Sequence, residues 1–187
     1  HNIDLRWELY RKEGQMLSVS GFYKYFNKPI EIVQYATQTG TFQPRNVGDG
    51  QVLGLELEVR QNLGSLTGAL DKFNFSSNIS VIRSGIELSL TEYYSRIENS
   101  RTGQSISRTR EMAGQSPWII NSGITWSGGE KAFWSGFEAG LFYNVQGKTL
   151  QYVGIADRPD IYTLPFHNLN FTASGKMGRE KKMQIEL

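Results

Sequence analysis

The residues able to do chemistry are few, and they are scattered. There are two histidines, His1 and His167, and no cysteine, which removes thiolate nucleophiles, disulfides and cysteine metal sites. His167 sits between Phe166 and Asn168 at the start of a predicted strand, without a His, Asp or Glu at metal-ligand spacing. Asp157, Arg158 and Asp160 offer too few oxygens for a calcium site. Gly48-Asp49-Gly50 is followed by no helical pattern, so it is not a phosphate cradle. Two charged stripes do stand out: Asp4, Arg6, Glu8 and Glu56, Glu58, Arg60, each spaced by two. That spacing puts each stripe on one face of a strand, where it forms a salt-bridged polar wall. A third group, Tyr93, Tyr94, Arg101, Arg108 and Arg110, falls in a long irregular segment. Guanidinium groups pair with carboxylate or phosphate, so these five are candidates for contact with an anionic ligand. No catalytic constellation and no cofactor is expected.

The elements carrying these residues have period two. Ile3, Leu5, Trp7 and Leu9 alternate with Asp4, Arg6, Glu8 and Tyr10, and Leu53, Leu55, Leu57 and Val59 with Gly54, Glu56, Glu58 and Arg60. The same alternation covers 17–25, 73–81, 118–126, 135–146 and 169–177 and resumes at 183–187. The pattern predicts about eight strands of roughly 9–14 residues, longer than the ~5–6 of ordinary globular strands and matching the ~9–11 of membrane-spanning ones. Connections alternate as well. Those at 12–15, 63–72, 127–131 and 178–181 are short or medium; those at 36–50, 87–115 and 154–167 are long and read as loops. Short turns on one rim and long loops on the other is the pattern of outer-membrane barrels. Helical periodicity is weak throughout. The net charge is 20 − 18 = +2, which gives no footprint for nucleic acid.

Alternation alone does not say which face meets water. Aromatic residues at predicted strand ends (Trp7, Tyr23, Tyr25, Phe26, Phe73, Trp118, Trp126, Phe133, Trp134 and Tyr152) suggest interfacial girdles and an apolar face turned to lipid. Spanning strands must then close on themselves to satisfy their backbone groups. Two other readings are open: a complete small outer-membrane barrel, such as an adhesin or lipid-modifying enzyme, and a soluble ligand-binding barrel.

Asn2-Ile3-Asp4-Leu5-Arg6-Trp7-Glu8 followed by Leu17-Ser18-Val19-Ser20-Gly21-Phe22-Tyr23-Lys24 resembles the paired strands of TonB-dependent outer-membrane receptors. Asn46-Val47-Gly48-Asp49-Gly50 leading to Gly54-Leu55-Glu56-Leu57-Glu58 is similar to their N-x-G … G-x-E-x-E strand. Ser116-Pro117-Trp118-Ile119-Ile120-Asn121 looks like the start of a strand after a long outer loop. Ile161-Tyr162-Thr163-Leu164-Pro165 with Leu169-Asn170-Phe171 resembles the approach to the final strands, in the Bacteroidetes type especially. The resemblance implies an all-β, antiparallel, up-and-down transmembrane barrel of about 22 strands, of which this chain is the later part. It implies a plug domain, a TonB box and a closing aromatic strand elsewhere in the protein, since Leu187 stops within a strand pattern. It also implies the bacterial outer membrane as location. The partners would be membrane lipid, the plug, the TonB complex and a small-molecule or glycan substrate.

Overall fold

The computed structural model describes residues 1–11, 14–34, 40–128, 136–155, 158–177 and 183–186. Seven long strands follow the alternating segments: β1 (Asn2–Tyr10), β2 (Met16–Phe26), β5 (Gly50–Asn62), β6 (Phe73–Glu87), β8 (Trp118–Ser127), β9 (Phe137–Gln146) and β12 (His167–Met177). A shorter β13 (Met183–Glu186) follows. They pair antiparallel in the order β1-β2-β5-β6-β8-β9-β12-β13, each strand beside its neighbour along this path. The eight expected strands are therefore present. The two end strands are not paired with each other, so this sheet is open.

The long strands have 9 to 15 residues. At ~3.3 Å per residue and a tilt near 45°, ten residues cover about 23 Å, the height of a membrane barrel's apolar band. Register decides the faces. One row reads Trp7, Val19, Leu57, Ile79, Ile120 and Val145 across consecutive strands. The next residue along gives Glu8, Ser18, Glu58, Asn78, Asn121 and Asn144. A slip of one residue in any pair would mix these rows. The apolar face is uncovered: Leu5 is 78% exposed, Leu55 64% and Leu169 65%. So broad an apolar surface marks contact with lipid or another protein.

On the polar face, aromatic rings lie over cross-strand glycines. Phe22 covers Gly54, its register partner, and Phe142 covers Gly123. A Cβ at Gly123 would stand 2.6 Å from the Phe142 ring. Glycine is required there by close approach, not by backbone conformation.

The connections also follow the expected asymmetry, with one correction. At one rim the connections are short, and the one at 63–72 holds two 3-10 turns, Leu63–Ser65 and Gly68–Leu70. At the other rim the three long connections are not plain loops. They hold a hairpin of β3 (Ile30–Gln34) and β4 (Phe42–Asn46), a helix α1 (Leu90–Glu98) with the short β7 (Thr109–Arg110), and a hairpin of β10 (Thr149–Tyr152) and β11 (Ile161–Thr163). Helix α1 was concealed by its shortness. Ser89 caps it, its Oγ accepting from the Glu92 N–H at 3.2 Å, and Ser-x-x-Glu is an N-terminal capping signature.

The aromatic girdle is only partly as expected. Phe73 pairs with Trp126 at the short-turn rim, and Tyr23, Tyr25 and Phe26 stand at the other. Trp7 instead lies mid-strand, and Tyr152 packs on Phe42 within the hairpins, ring centroids 4.7 Å apart. Phe133, Trp134, Asp157 and Leu187 lie outside the described residues.

Candidate functional site

The six charged residues of the two stripes share the polar face, because β1 and β5 both pair with β2 in registers that align them. Glu58 is the hub. It accepts from Arg6 at 2.9 Å and from Arg60 at 2.8 Å, and Arg6 also pairs with Glu8. Glu56 accepts from Ser20 and Ser80 at 3.5 and 3.4 Å, and Asp4 from Asn2. Their carboxylates outnumber their guanidiniums, four to two, giving 2 − 4 = −2. These pairs are open to solvent, so they add little to stability. What they offer is a hydrophilic wall that is mildly anionic.

At the loop rim the three long connections fuse into one head. Val33, Leu150 and Val153 are buried at its centre, with Val47, Ala113 and Tyr162 against them. Backbone bonds stitch one connection to the next. The Gln34 N–H donates to Val153 O at 3.0 Å, the Val153 N–H to Ile32 O at 3.3 Å and the Gly114 N–H to Leu150 O at 2.7 Å. The head sits on the polar-face side of the sheet. Val52 and Ile86, on the same face as Glu56 and Ser80, are 4% and 0% exposed there. The Met112 N–H donates to Ser84 Oγ of that face at 3.2 Å.

Charge locks the head. Arg110 is bound by Glu31 of β3 at 2.7 Å and by Glu92 of α1 at 2.8 Å, with the Arg110 and Glu31 side chains 7% and 4% exposed. Glu31 also accepts from the Ala113 N–H at 2.7 Å. Glu92 meets Arg96 at 3.2 Å, and Arg96 grips Asp160 with two bonds at 2.9 and 3.1 Å. Asp160 accepts in turn from the Gly154 N–H at 2.8 Å. The chain Glu31–Arg110–Glu92–Arg96–Asp160 thus ties all three connections together. Burial opposes the charge on Arg96 and Arg110, but the facing carboxylates outweigh it and hold both guanidiniums above their ordinary pKa.

Of the five residues expected to meet a ligand, the structure separates Arg110 from the rest. It is enclosed by two carboxylates and holds the head together. Arg108 stacks over the Tyr93 ring at 4.7 Å, and Tyr94 stands beside Tyr93, 56% exposed. Arg101 is exposed and lines a cleft of about 770 Å³ beyond α1. Helix α1 is inverted for a globular helix. It turns Glu92 and Arg96 inward and leaves Leu90, Tyr94 and Ile97 exposed. Sequence does not single out Glu31, Glu92 or Arg96, and it marks Asp160 only as one of too few oxygens for a calcium site. Only Glu92 carries a local signal, the capping spacing from Ser89.

The fold is matched among solved proteins. The copper transporter OprC superposes with a TM-score of 0.59 at 17% identity, covering 95% of this chain and 23% of its own. A mutant of the ferric enterobactin receptor PfeA from Pseudomonas aeruginosa gives 0.51 at 15% identity, covering 95% and 24%. The chain therefore spans about a quarter of the length of either, and at these identities the likeness concerns fold alone. No curated protein matches the sequence. The family described as "TonB dependent receptor-like, beta-barrel" matches residues 1–182. With 182 of 187 residues matched and the strand order and face pattern of such a barrel, the chain belongs to the TonB-dependent receptor β-barrel family.

Proposed function

We propose that this chain is the later part of the barrel of an outer-membrane receptor that imports a bulky nutrient of the siderophore, cobalamin or glycan class. A plug domain of the same protein fills the lumen, and the TonB system supplies the energy through it. The apolar face meets lipid. The polar face, with Asp4, Arg6, Glu8, Glu56, Glu58 and Arg60, lines the lumen against the plug. The loop head overhangs the outer mouth, where Tyr93, Tyr94, Arg101 and Arg108 take part in capture. The full barrel has about 22 strands, as in plugged outer-membrane transporters.

The observation carrying this reading is the packed head on the polar side of a sheet whose other side is bare and apolar. A sheet with a water-filled interior and a lipid exterior needs that polarity, and a surface that captures solute needs an ordered rim. The test is uptake by cells that make the receptor containing this chain. Labelled ferric siderophores, cobalamin and oligosaccharides are offered with TonB present or deleted. Uptake of one of them that stops without TonB is the expected result. Uptake that continues unchanged without TonB contradicts the proposal.

A further inference from the structure

The apolar face carries a cation where its pattern asks for an apolar side chain. Across β1, β2, β5 and β6 one row reads Ile3, Tyr23, Leu53 and Arg83. Arg6, Lys24 and Arg60 of the neighbouring strands lie on the polar face instead. Arg83 is exposed, and among the described residues it has no ion pair or hydrogen bond. Glu87, the next acid along this side of β6, is four residues further out, level with Thr109 of β7. The depth of Arg83 is set by its neighbours. The Ile82 N–H donates to Pro117 O at 2.8 Å, where β8 begins, and Ser84 Oγ accepts from the Met112 N–H of the head at 3.2 Å. Arg83 therefore stands where the sheet passes into the head, about 13 Å along β6 from Ile79. Outward of it the space is open. Gly85, next on the same side, has no side chain, and the atom nearest to a Cβ placed there is Gln51 Cγ at 4.0 Å. The amide of Gln51, also exposed, borders this notch.

On a face turned to lipid, a charge is costly at the bilayer midplane and tolerated near an interface, where it can reach a headgroup. The opposite end of this face ends in Phe73, Phe75 and Trp126, rings without charge. At the long-loop end a guanidinium stands with Leu53 and Val81, both exposed, on its membrane side and an open notch on the other. That order, aliphatic surface and then a fork of N–H donors, matches an acyl chain joined to an oxyanion. We infer that Arg83, with Leu53, Val81 and Gln51, forms a binding site for the phosphate headgroup of an acidic lipid on the long-loop side of the bilayer. Leu53 and Val81 take the chain, Arg83 the phosphate oxygens, and the Gln51 amide donates a further bond. It rests on the receptor reading, which puts this face in the membrane, and goes beyond it by fixing one charge class of lipid at one place.

The experiment compares two quenching lipids in vesicles of phosphatidylcholine that hold the whole receptor. A fluorophore is placed on a single cysteine at Leu55, one row inward of the site, or at Leu169 on β12, four strands away from β5. Phosphatidylglycerol with brominated chains is added as a minor component and, separately, the same fraction of brominated phosphatidylcholine. With Arg83 present, the acidic lipid should be enriched about fivefold at the Leu55 reporter, and less so as salt is raised. The Leu169 reporter should show no preference. Arg83→Gln should abolish the preference at Leu55, and Arg83→Lys should keep part of it, because a lysine replaces the charge but not the fork. Unchanged quenching at Leu169 in both variants shows that they insert normally. The site is overturned if the two lipids quench the Leu55 reporter equally in the presence of Arg83, or if the preference survives Arg83→Gln. Equal and efficient quenching at both positions removes the lipid site and leaves the receptor reading standing. No quenching at either position by either lipid removes both.

Discussion

Replacing Arg110 by methionine should loosen the loop head without disturbing the sheet. The side chain keeps its approximate volume but loses the cation between Glu31 and Glu92, both of them buried. Removing one partner of a buried ion pair costs about 3–5 kcal/mol. Here the carboxylates keep some support, Glu31 from the Ala113 N–H and Glu92 from Arg96, so about 3 kcal/mol is expected. If the head opens as one unit, that loss appears as faster hydrogen exchange of the amides joining its parts, those of Gln34, Gly114 and Val153. At 1.4 kcal/mol per decade the acceleration is about a hundredfold. Amides in the middle of β5 and β6, such as Leu57 and Ile79, should exchange as in wild type. The measurement is exchange monitored by mass spectrometry on the whole receptor in detergent. Unchanged exchange at the three head amides would refute the argument that charge locks the head. An equal acceleration in β5 and β6 would refute its separateness from the sheet.

Other outcomes follow from the same contacts. Gly123→Val should drive Phe142 off its seat and cost about 1–3 kcal/mol by overpacking, and Phe142→Ala in the same chain should recover most of it; the check is denaturant unfolding of the detergent-folded protein. Ser89→Ala should cost α1 about 1 kcal/mol through loss of its cap, seen as faster exchange confined to residues 90–98. Asp49, in the connection ahead of β5, accepts from the Tyr25 hydroxyl and the Lys28 N–H, and these hold its carboxyl below the usual carboxylate range. A depressed pKa means stability that is present above the ordinary carboxylate value, about 4, and is lost as pH falls through the folded value. The Lys28 amide should therefore lose protection on acidification in wild type, while Asp49→Asn shows a flat profile. Identical profiles would contradict that linkage.

The strands were legible in the sequence because each carries its own evidence, a period of two over nine or more residues bounded by turn residues. Sheet order followed from antiparallel neighbours joined by alternating short and long connections. The charged stripes were legible for the same reason, since spacing by two fixes a common face whatever the partner. The loop head was not. Its core of Val33, Leu150 and Val153 joins residues more than a hundred positions apart, with no local pattern in any one segment. Arg110 illustrates the difficulty: beside Arg101 and Arg108 it looks like one more exposed loop cation. Only the return of Glu31, from a hairpin that begins beyond Pro29, makes it a buried tie. Helix α1 had a readable start at Ser89 and apolar spacing at Leu90, Tyr94 and Ile97, but nine residues make a weak helical signal beside so much alternation.

The central claim is that one face of this sheet meets hydrocarbon and the other an aqueous interior. Single cysteines at Leu55, Leu57 and Ile79, and at Glu56, Glu58 and Asn78, can be given a small fluorophore in the whole receptor reconstituted in vesicles. Brominated lipid should quench the first three and spare the second, while a water-soluble quencher should reach at most the second. Quenching by lipid at Glu56, Glu58 and Asn78, or no alternation between the two sets, would contradict the account.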